Sequence, residues 1–168
     1  MPKLKFSKVR DVKSPERGTD KSAGIDFFVP NLEKSLLLKA HRDILIPSGI
    51  KANIPEGYML MGADKSGVAT SKWAVIGAGK KPKDKAFHNA VIIGAKIVDE
   101  DYQGEIHIHL INTGNTDIMI DPGMKIAQFI LVPVLYAELE EVEADKLYES
   151  ESQRGIGGFG STDAPENH

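Results

Sequence analysis

Short runs of alternating or β-branched hydrophobic residues recur along most of this chain, with the two-residue period of β-strands. Turn-forming segments such as IPSG, IPEG, DEDYQG and DPG separate the runs. The predicted strands are KLKFSKV, GIDFFVP, KSLLLKA, RDILIPSGIKANI, GYMLMGA, WAVIGA, NAVIIGAKIV, GEIHIHLIN, TDIMI and KIAQFILVPV. Many short strands with frequent turns predict an all-β sandwich, jelly roll or barrel.

One segment, roughly from Leu135 to Glu149, is a candidate helix. It is acidic and weakly periodic, and its AELEEVE stretch could equally form a last strand. Two segments have the composition of loops: GAGKKPKDKAF, from Gly77 to Phe87, and everything after Glu149. We therefore expect an all-β core over residues 1–149, which includes a long loop at about 71–90, and a flexible glycine-rich tail over residues 150–168.

Composition narrows the class of protein without changing the predicted fold. A chain of 168 residues has the size of one domain. Its net charge of −3 gives no basic footprint, so we expect no nucleic-acid partner. A weak basic patch is formed by Lys80, Lys81, Lys83 and Lys85, in what we expect to be a solvated loop. There is no cysteine, secretory signal or membrane-spanning run, which predicts a cytoplasmic protein without disulfides.

The segment VDEDYQGE places Asp99 and Tyr102 at a turn between two predicted strands. Acidic residues are common in solvated turns, and that is one interpretation. In the other, Asp99 is a general base and Tyr102 supplies a ring against which a small planar or sugar group packs.

Three further segments carry polar side chains in unusual places. GADKSGVA puts Lys65, Ser66 and Gly67 directly after a strand, where a cation, a hydroxyl and exposed N–H groups suit a phosphate, although a plain polar turn would look the same. Asp26 lies among apolar residues in SAGIDFF, either paired or part of a site. Gln128 lies on an apolar strand, and its amide either satisfies a backbone neighbour or contacts a phosphate.

The tail sequence RGIGGFGSTD contains the spacing G-x-G-x-x-G of dinucleotide-binding loops. That motif needs a helix after it, and only STDAPENH follows, so the dinucleotide interpretation is excluded. Arg154, Phe159, Ser161 and Thr162 instead suit a lid that an anionic ligand orders, because glycines let the backbone wrap closely. The alternative is a disordered polar terminus.

Two histidines, His107 and His109, lie at i and i+2 and therefore on one face of a strand. They could bind a metal, but no third ligand is evident nearby in the sequence. We expect them to be hydrogen-bonded at a subunit contact.

Five segments in order resemble the motifs of the trimeric, all-β deoxyuridine triphosphatases (dUTPases). They are AGIDF, PEGYMLMGADKSGVA, IVDEDYQGE, GMKIAQFILVP and RGIGGFGST, spanning nearly the whole chain. The resemblance implies a distorted jelly-roll homotrimer with three sites between subunits. It also implies Mg²⁺-assisted hydrolysis of dUTP to dUMP and pyrophosphate, which keeps uracil out of DNA and supplies dUMP for dTMP synthesis.

The resemblance also implies a role for each matching residue. Asp99 would activate the attacking water and Tyr102 would pack on the deoxyribose, leaving no room for a 2′-hydroxyl. Asp26 would support the site near the metal, which the substrate phosphates and water mainly hold, without direct protein ligands. Uracil would be read by main-chain groups of Lys96, Ile97 and Val98. Phosphates would be bound by Lys65, Ser66, Gly67 and Gln128. The closing tail would contribute Arg154, Phe159, Gly160, Ser161 and Thr162, with Phe159 over the uracil.

Three positions and one segment depart from the family pattern. Ile93 stands where many members have asparagine, and the stretch from Ser71 to Ala90 is longer than the usual link between the second and third motifs. Lys65 stands where the family usually has arginine, which keeps a charge but loses a bidentate fork. Lys96 stands where the family usually has glycine.

Two other functional classes remain open at this stage. The related dCTP deaminases share the fold, but they carry a glutamate base where this chain has His109, and typically phenylalanine where it has Tyr102. The second class is a non-catalytic binding or signalling module that acts through the longer loop at 71–90.

Overall fold

The computed structural model describes residues 2–69, 91–153, 155 and 156 of the chain. Strands dominate these residues, which confirms the predicted all-β class. The strands are β1 (Lys5–Lys8), β2 (Glu16–Arg17), β3 (Ile25–Phe28), β4 (Leu36–Leu38), β5 (Asp43–Pro47), β6 (Ile50–Asn53), β7 (Tyr58–Ala63), β8 (Val91–Ile93), β9 (Ile97–Val98), β10 (His107–Asn112), β11 (Ile118–Ile120) and β12 (Lys125–Pro133). The helical elements are the single turn α1 (Ser66–Ala69) and a 3₁₀ turn at Ala144–Lys146.

The strands form four antiparallel sheets. The largest has the order β2-β3-β12-β7-β9, and a three-stranded sheet has the order β5-β10-β8. The two remaining sheets pair β1 with β6 and β11 with β4. Most neighbours are distant in sequence, so the chain crosses repeatedly between sheets, as in jelly-roll topologies.

The core lies between the inward faces of these sheets. Alternation along β10 shows why: every second residue of HIHLIN is buried, as a half-buried strand requires. Phe27 and Phe129 meet at the centre, with ring centroids 4.6 Å apart in a tilted arrangement.

The segment NAVIIGAKIV does not form the single predicted strand. Its first half is β8, which pairs with β10, and its second half is β9, which pairs with β7 in the five-stranded sheet. The residues between them, Gly94 to Lys96, carry the chain from one sheet to the other. Residues 70–90, which contain the predicted strand WAVIGA and the expected longer loop, lie outside the described residues.

The prediction for residues 135–149 was wrong in both of its forms. Apart from the short 3₁₀ turn, the described residues beyond β12 form neither a helix nor a strand. Leu135 and Leu139 are more than nine-tenths exposed, so no packed face supports a helix there. The chain divides into two units, Met1–Leu135 and Tyr136–His168, so the first unit ends before the expected boundary at residue 149.

Candidate active site

The turn that follows β9 is held by its own hydrogen bonds. The backbone N–H of Tyr102 donates to the carbonyl of Asp99 at 3.2 Å, and the hydroxyl of Tyr102 donates to the carbonyl of Glu105 at 2.9 Å. The carboxylate of Glu100 accepts the N–H of Gly57 at 2.5 Å. Glu100 therefore ties the turn to the start of β7, and the Asp99 side chain is left exposed at its rim.

The Tyr102 ring has a fixed position because a glycine makes room for it. A Cβ at Gly104 would lie within 2.8 Å of the ring atom Cε2, so any larger residue would displace the ring. The Tyr102 side chain as a whole remains partly exposed.

Glu105 fastens this region to the N-terminal part of the chain. Its carboxylate forms a bidentate pair with the Arg10 guanidinium, at 2.7 and 3.0 Å, and accepts the N–H of Gly49 at 2.7 Å. The hydrogen bond from Arg10 lowers the pKa of the Glu105 carboxyl; partial burial opposes this effect, and the Gly49 N–H assists it.

Because its folded-state pKa is lowered, Glu105 stabilises the fold above its unfolded pKa, and this contribution is lost as the pH falls through the folded value. We expect Glu105→Gln to lower the free energy of unfolding at pH 7. The difference from the parent should shrink below a pH of about 4.5, the ordinary glutamate value. Urea unfolding at several pH values measures this. The exposed Glu56→Gln is the control, and an equal difference at all pH values would contradict the account.

A small cavity opens beside the turn, with a volume of about 180 Å³. Its lining residues are Ala95, Ile97, Val98, Asp99, Tyr102, Ile106, His107 and Phe129. Sites for drug-sized ligands span roughly 300–1,000 Å³, so this cavity suits a single ring rather than a whole nucleotide. Four of the predicted site residues therefore share one cavity: Ile97, Val98, Asp99 and Tyr102. Lys96 does not line it, because its carbonyl faces β7 and accepts the Gly62 N–H at 2.6 Å.

A second, wider groove of about 510 Å³ shares Tyr102 with this cavity. It is lined by β1, β6 and the turn residues Glu100, Tyr102 and Gln103. Asp99 is not among its lining residues, so we assign the candidate chemistry to the smaller cavity.

Asp26 is the centre of a charged cluster on β3, which lies toward the edge of the five-stranded sheet opposite to β9. Its buried carboxylate lies 2.7 Å from Lys125 Nζ and 3.4 Å from Lys65 Nζ. Lys125 also lies 3.4 Å from Glu16. The hydrogen bond to Asp26 is the main cause that raises the pKa of Lys125. The sequence left Asp26 as either paired or part of a site; the structure pairs it, and one partner is the candidate phosphate ligand Lys65.

The Gln128 amide contacts a backbone neighbour, the first of the two alternatives left open by the sequence. Its Nε2 donates to the carbonyl of Asp64 at 2.8 Å, and the side chain lies where a Cβ on Gly24 would otherwise be. Asp64 in turn accepts the N–H of Ile93 at 2.6 Å. Gln128 and Asp64 together hold the segment that presents Lys65, Ser66 and Gly67.

The two histidines are both hydrogen-bonded within the chain, and their expected place at a subunit contact stays a prediction. His107 Nδ1 donates to the carbonyl of Glu105 at 2.8 Å, and His109 contacts Asp43 and Ala95. Within residues 2–69 and 91–153, no group of three His, Asp or Glu side chains is arranged to hold a metal ion.

Asp99 and Asp26 are far apart within one chain. Asp26 on β3 pairs with Gln128 on β12, which pairs with Ala63 on β7, whereas Ile97 on β9 pairs with Met61. Three strand spacings and about four residues of strand separate Asp26 from Asp99, which amounts to roughly 20 Å along the sheet. One chain therefore does not bring its two predicted halves of the site together.

Several predicted residues have no described position. Arg154, Phe159, Gly160, Ser161 and Thr162 lie outside the described residues, so the proposed tail contacts remain predictions. The roles of Asp64 and Glu105 and the contacts of His109 were not predicted from the sequence. The available signals were an acid directly after a strand, Asp64 after β7, and a glycine directly after a strand, Gly94 after β8, but neither specifies a partner.

The fold is similar to that of solved phage dUTPases. The Staphylococcus bacteriophage 80alpha enzyme, solved with dUpNHpp, superposes with a TM-score of 0.71 at 24% identity, covering 95% of this chain and 97% of that one. The dUTPase from phage phi11 of S. aureus gives 0.66 at 21% identity, covering 87% and 99%. These likenesses define the class of fold: an all-β protein built like a dUTPase.

Proteins that are related in sequence show to which family this chain belongs. The family model described as dUTPase matches residues 82–163. The deoxyuridine 5′-triphosphate nucleotidohydrolase of Chlamydia pneumoniae is 38% identical over 89% of this chain and 90% of its own length. That of Hydrogenobaculum is 34% identical over 95% and 97%. The chain belongs to the dUTPase family. No helix among the described residues has the length and apolarity to cross a membrane.

Proposed function

We propose that the protein hydrolyses dUTP to dUMP and pyrophosphate, which removes dUTP from the nucleotide pool and supplies dUMP for dTMP synthesis. The observation that carries the proposal is the small cavity with Asp99 and Tyr102 on its rim, in a chain that belongs to the dUTPase family. Since its substrate is a free nucleotide, we place the enzyme in the cytoplasm.

Asp99 is the proposed general base. Its carboxylate is exposed at the cavity rim, where it can accept a proton from a water molecule aimed at the α-phosphorus. General base catalysis of this kind typically contributes ~10²–10⁴ in rate. The neighbouring Glu100 carboxylate already accepts the Gly57 N–H and therefore has a structural role in the turn. The Asp99 carboxylate has no such partner among the described contacts.

The cavity is the proposed uracil pocket. Its wall from Ile97 to Val98 is a strand only two residues long, whose main-chain groups would read the pyrimidine edge. Tyr102 is supported from behind by Gly104, so its ring offers a rigid face to the deoxyribose. The volume of the cavity fits one pyrimidine ring.

The charged cluster is the proposed phosphate side. Asp26 holds the Lys65 ammonium in place, and Ser66 and Gly67 follow directly in α1. A Cβ on Gly67 would meet no described atom within 4 Å, so packing does not explain why glycine stands there. Close approach of a phosphate to the backbone would explain it. Gln128 supports this segment through Asp64, a positioning role beside the predicted contact with phosphate.

Mg²⁺ is the proposed cofactor. A structural Mg(II) ion is known in the phage phi11 dUTPase. Here the Asp26 carboxylate is already engaged by two lysines, which agrees with an acid that supports the site without ligating the metal. Mg²⁺ characteristically keeps several waters and binds substrate phosphates, and when bound it neutralises charge on the triphosphate.

A homotrimer is the proposed assembly. With Asp99 and Asp26 roughly 20 Å apart along the sheet, one triphosphate cannot contact both in a single chain. A second copy that supplies its charged cluster to the first copy's cavity removes this obstacle. The tail residues Arg154, Phe159, Gly160, Ser161 and Thr162 would then close the site, with Phe159 over the base.

We expect UTP to be a far poorer substrate than dUTP, because a 2′-hydroxyl would clash with the Tyr102 ring or lie unpaired against it. Tyr102→Ala should narrow the ratio of the two kcat/KM values. Tyr102→Phe is the matched control, since it keeps the ring and loses only the hydrogen bond to Glu105. Equal use of UTP and dUTP by the parent would remove Tyr102 from this role.

The deaminase alternative has little support in the geometry. Position 109, where those relatives carry their glutamate base, holds a histidine whose two ring nitrogens both have partners within the chain. Release of ammonia from dCTP tests this alternative. The role of the loop at 71–90 in binding another protein stays a prediction.

A further inference from the structure

We propose that His109 is a positioning residue for the pyrimidine cavity, and that it acts by fixing the crossover Gly94–Lys96 from which the cavity strand β9 begins. The inference rests on the proposed function, because it assigns His109 to the binding of the dUTP base. His109 itself lies on β10, in a different sheet from β9.

Both ring nitrogens of His109 are used, and they have different partners. The backbone N–H of Ala95 donates to Nδ1 at 3.2 Å, so Nδ1 is the acceptor. The proton of the neutral ring therefore sits on Nε2, which lies 3.0 Å from Oδ2 of Asp43 on β5 and donates to it. Asp43 thus sets the orientation of the ring, and the ring holds Ala95.

Gly94 is matched to this imidazole. A Cβ at position 94 would overlap Nδ1 and lie 2.6 Å from Cε1 of His109, so only glycine leaves room for the ring. The Gly94 N–H also donates to the carbonyl of His109 at 2.9 Å. Residues 94 and 95 are therefore both bonded to His109, one through the main chain and one through the ring.

The far end of the crossover is held by β7. The carbonyl of Lys96 accepts the N–H of Gly62 at 2.6 Å, and a Cβ on Gly62 would press on Ile93 at 3.3 Å. The segment between the two sheets is thus fixed at both ends. The next residues, Ile97 and Val98, form the wall of the cavity, and Ala95 lines it as well.

A wall that reads a base through main-chain groups depends on backbone position. A misplacement of about 1 Å can cost up to ~10²-fold in enzyme efficiency. The His109 contacts act on the wall and not on the Asp99 carboxylate, so their loss should weaken substrate binding more than the chemical step. We expect His109→Ala to raise the KM for dUTP roughly tenfold, the size of one lost hydrogen bond, with kcat within about threefold of the parent.

The test compares His109→Ala with His109→Asn, whose amide oxygen can accept the Ala95 N–H. Steady-state kinetics give kcat and KM for dUTP, and calorimetry gives the Kd of dUpNHpp, which does not depend on turnover. His41→Asn removes an exposed histidine elsewhere and is the matched control. The inference expects weak binding for the alanine variant, recovery of most of the affinity for the asparagine variant, and no change for the control.

A double-mutant cycle checks that Gly94 and the ring act as a pair. Gly94→Ala should weaken binding strongly in the parent and less in the His109→Ala background, because the clash with the imidazole is then gone and the added Cβ meets only the flexible end of Ile111, whose Cδ1 lies 2.9 Å away. Gly94→Ala alone carries the test if His109→Ala does not fold, since it displaces a ring that is still present. A folded His109→Ala variant, or Gly94→Ala itself, with the parent's KM and Kd would overturn the inference. A parent protein that does not hydrolyse dUTP would instead overturn the proposed function.

Discussion

Asp99→Asn should reduce the turnover of dUTP by at least ~10² while the fold and the binding of dUTP persist. An asparagine can still hold the attacking water, but it cannot accept its proton. The side chain lies at an exposed rim of the cavity, so the substitution disturbs no buried contact. Single-turnover kinetics of the variant, alongside its Kd for dUpNHpp, separate chemistry from binding.

The neighbouring Asp101→Asn is the matched control for this experiment. It removes the same charge from an exposed position in the same turn, two residues away. Its turnover should stay close to that of the parent. Near-normal turnover by Asp99→Asn, or an equal loss in both variants, would remove Asp99 from the role of base.

A chain that ends at Gln153 should lose nearly all activity while its melting temperature and oligomeric size remain close to those of the parent. The buried core of the described residues lies within the unit that ends at Leu135, and a glycine-rich terminal segment is expected to add little to it. Activity should collapse because Arg154, Phe159 and the hydroxyls of Ser161 and Thr162 are the proposed closing groups. A chain that ends at Asp163 keeps all of these and is the control. Full activity of the shorter chain would show that the tail is a solvated terminus with no role in closing the site.

Mixed trimers test whether the tail closes a neighbour's site. Asp99→Asn and the chain ending at Gln153 are each expected to be inactive. If a site takes Asp99 and the tail from different chains, random mixing at equal dose completes about one site in four, by the symmetry of a closed ring. Recovery of about a quarter of the parent rate supports a tail acting in trans. Background activity, in a sample whose mass shows mixed trimers, contradicts it.

The strands were predictable where a short apolar run is bounded by turn signals. β3, β7 and β12 lie where GIDFFVP, GYMLMGA and KIAQFILVPV predicted them; burial alternates along β7, whereas β3 and β12 also bury consecutive residues. The division of NAVIIGAKIV between two sheets was not predictable. Alternation says which residues are buried, but it does not say which strand is the partner.

The helix expected at residues 135–149 failed for a related reason. An acidic, weakly periodic segment forms a helix only when a packed apolar face stabilises it. Here the large side chains of Leu135, Leu139 and Tyr148 are exposed, so no such face is present. Propensity alone could not decide the outcome.

Within the candidate site, the sequence predicted residues better than it predicted contacts. Asp99 and Tyr102 were recognisable from their turn, and the structure places them on one cavity. The bond from Gln128 to Asp64 and the link from His109 to Ala95 join residues 64 and 14 positions apart. No local pattern encodes such pairs, because they depend on how the sheets pack.

The release of pyrophosphate from dUTP, dCTP, dTTP and UTP, measured with and without Mg²⁺, tests the central claim most directly. The account predicts rapid release from dUTP with Mg²⁺, far slower release from UTP, dCTP and dTTP, and a large loss for dUTP when Mg²⁺ is chelated. Selectivity for uracil is expected from the proposed role of the small cavity walled by Ile97 and Val98, and selectivity for deoxyribose is expected from the proposed role of Tyr102. A folded protein that releases no pyrophosphate from dUTP, or that treats the four nucleotides alike, would contradict it.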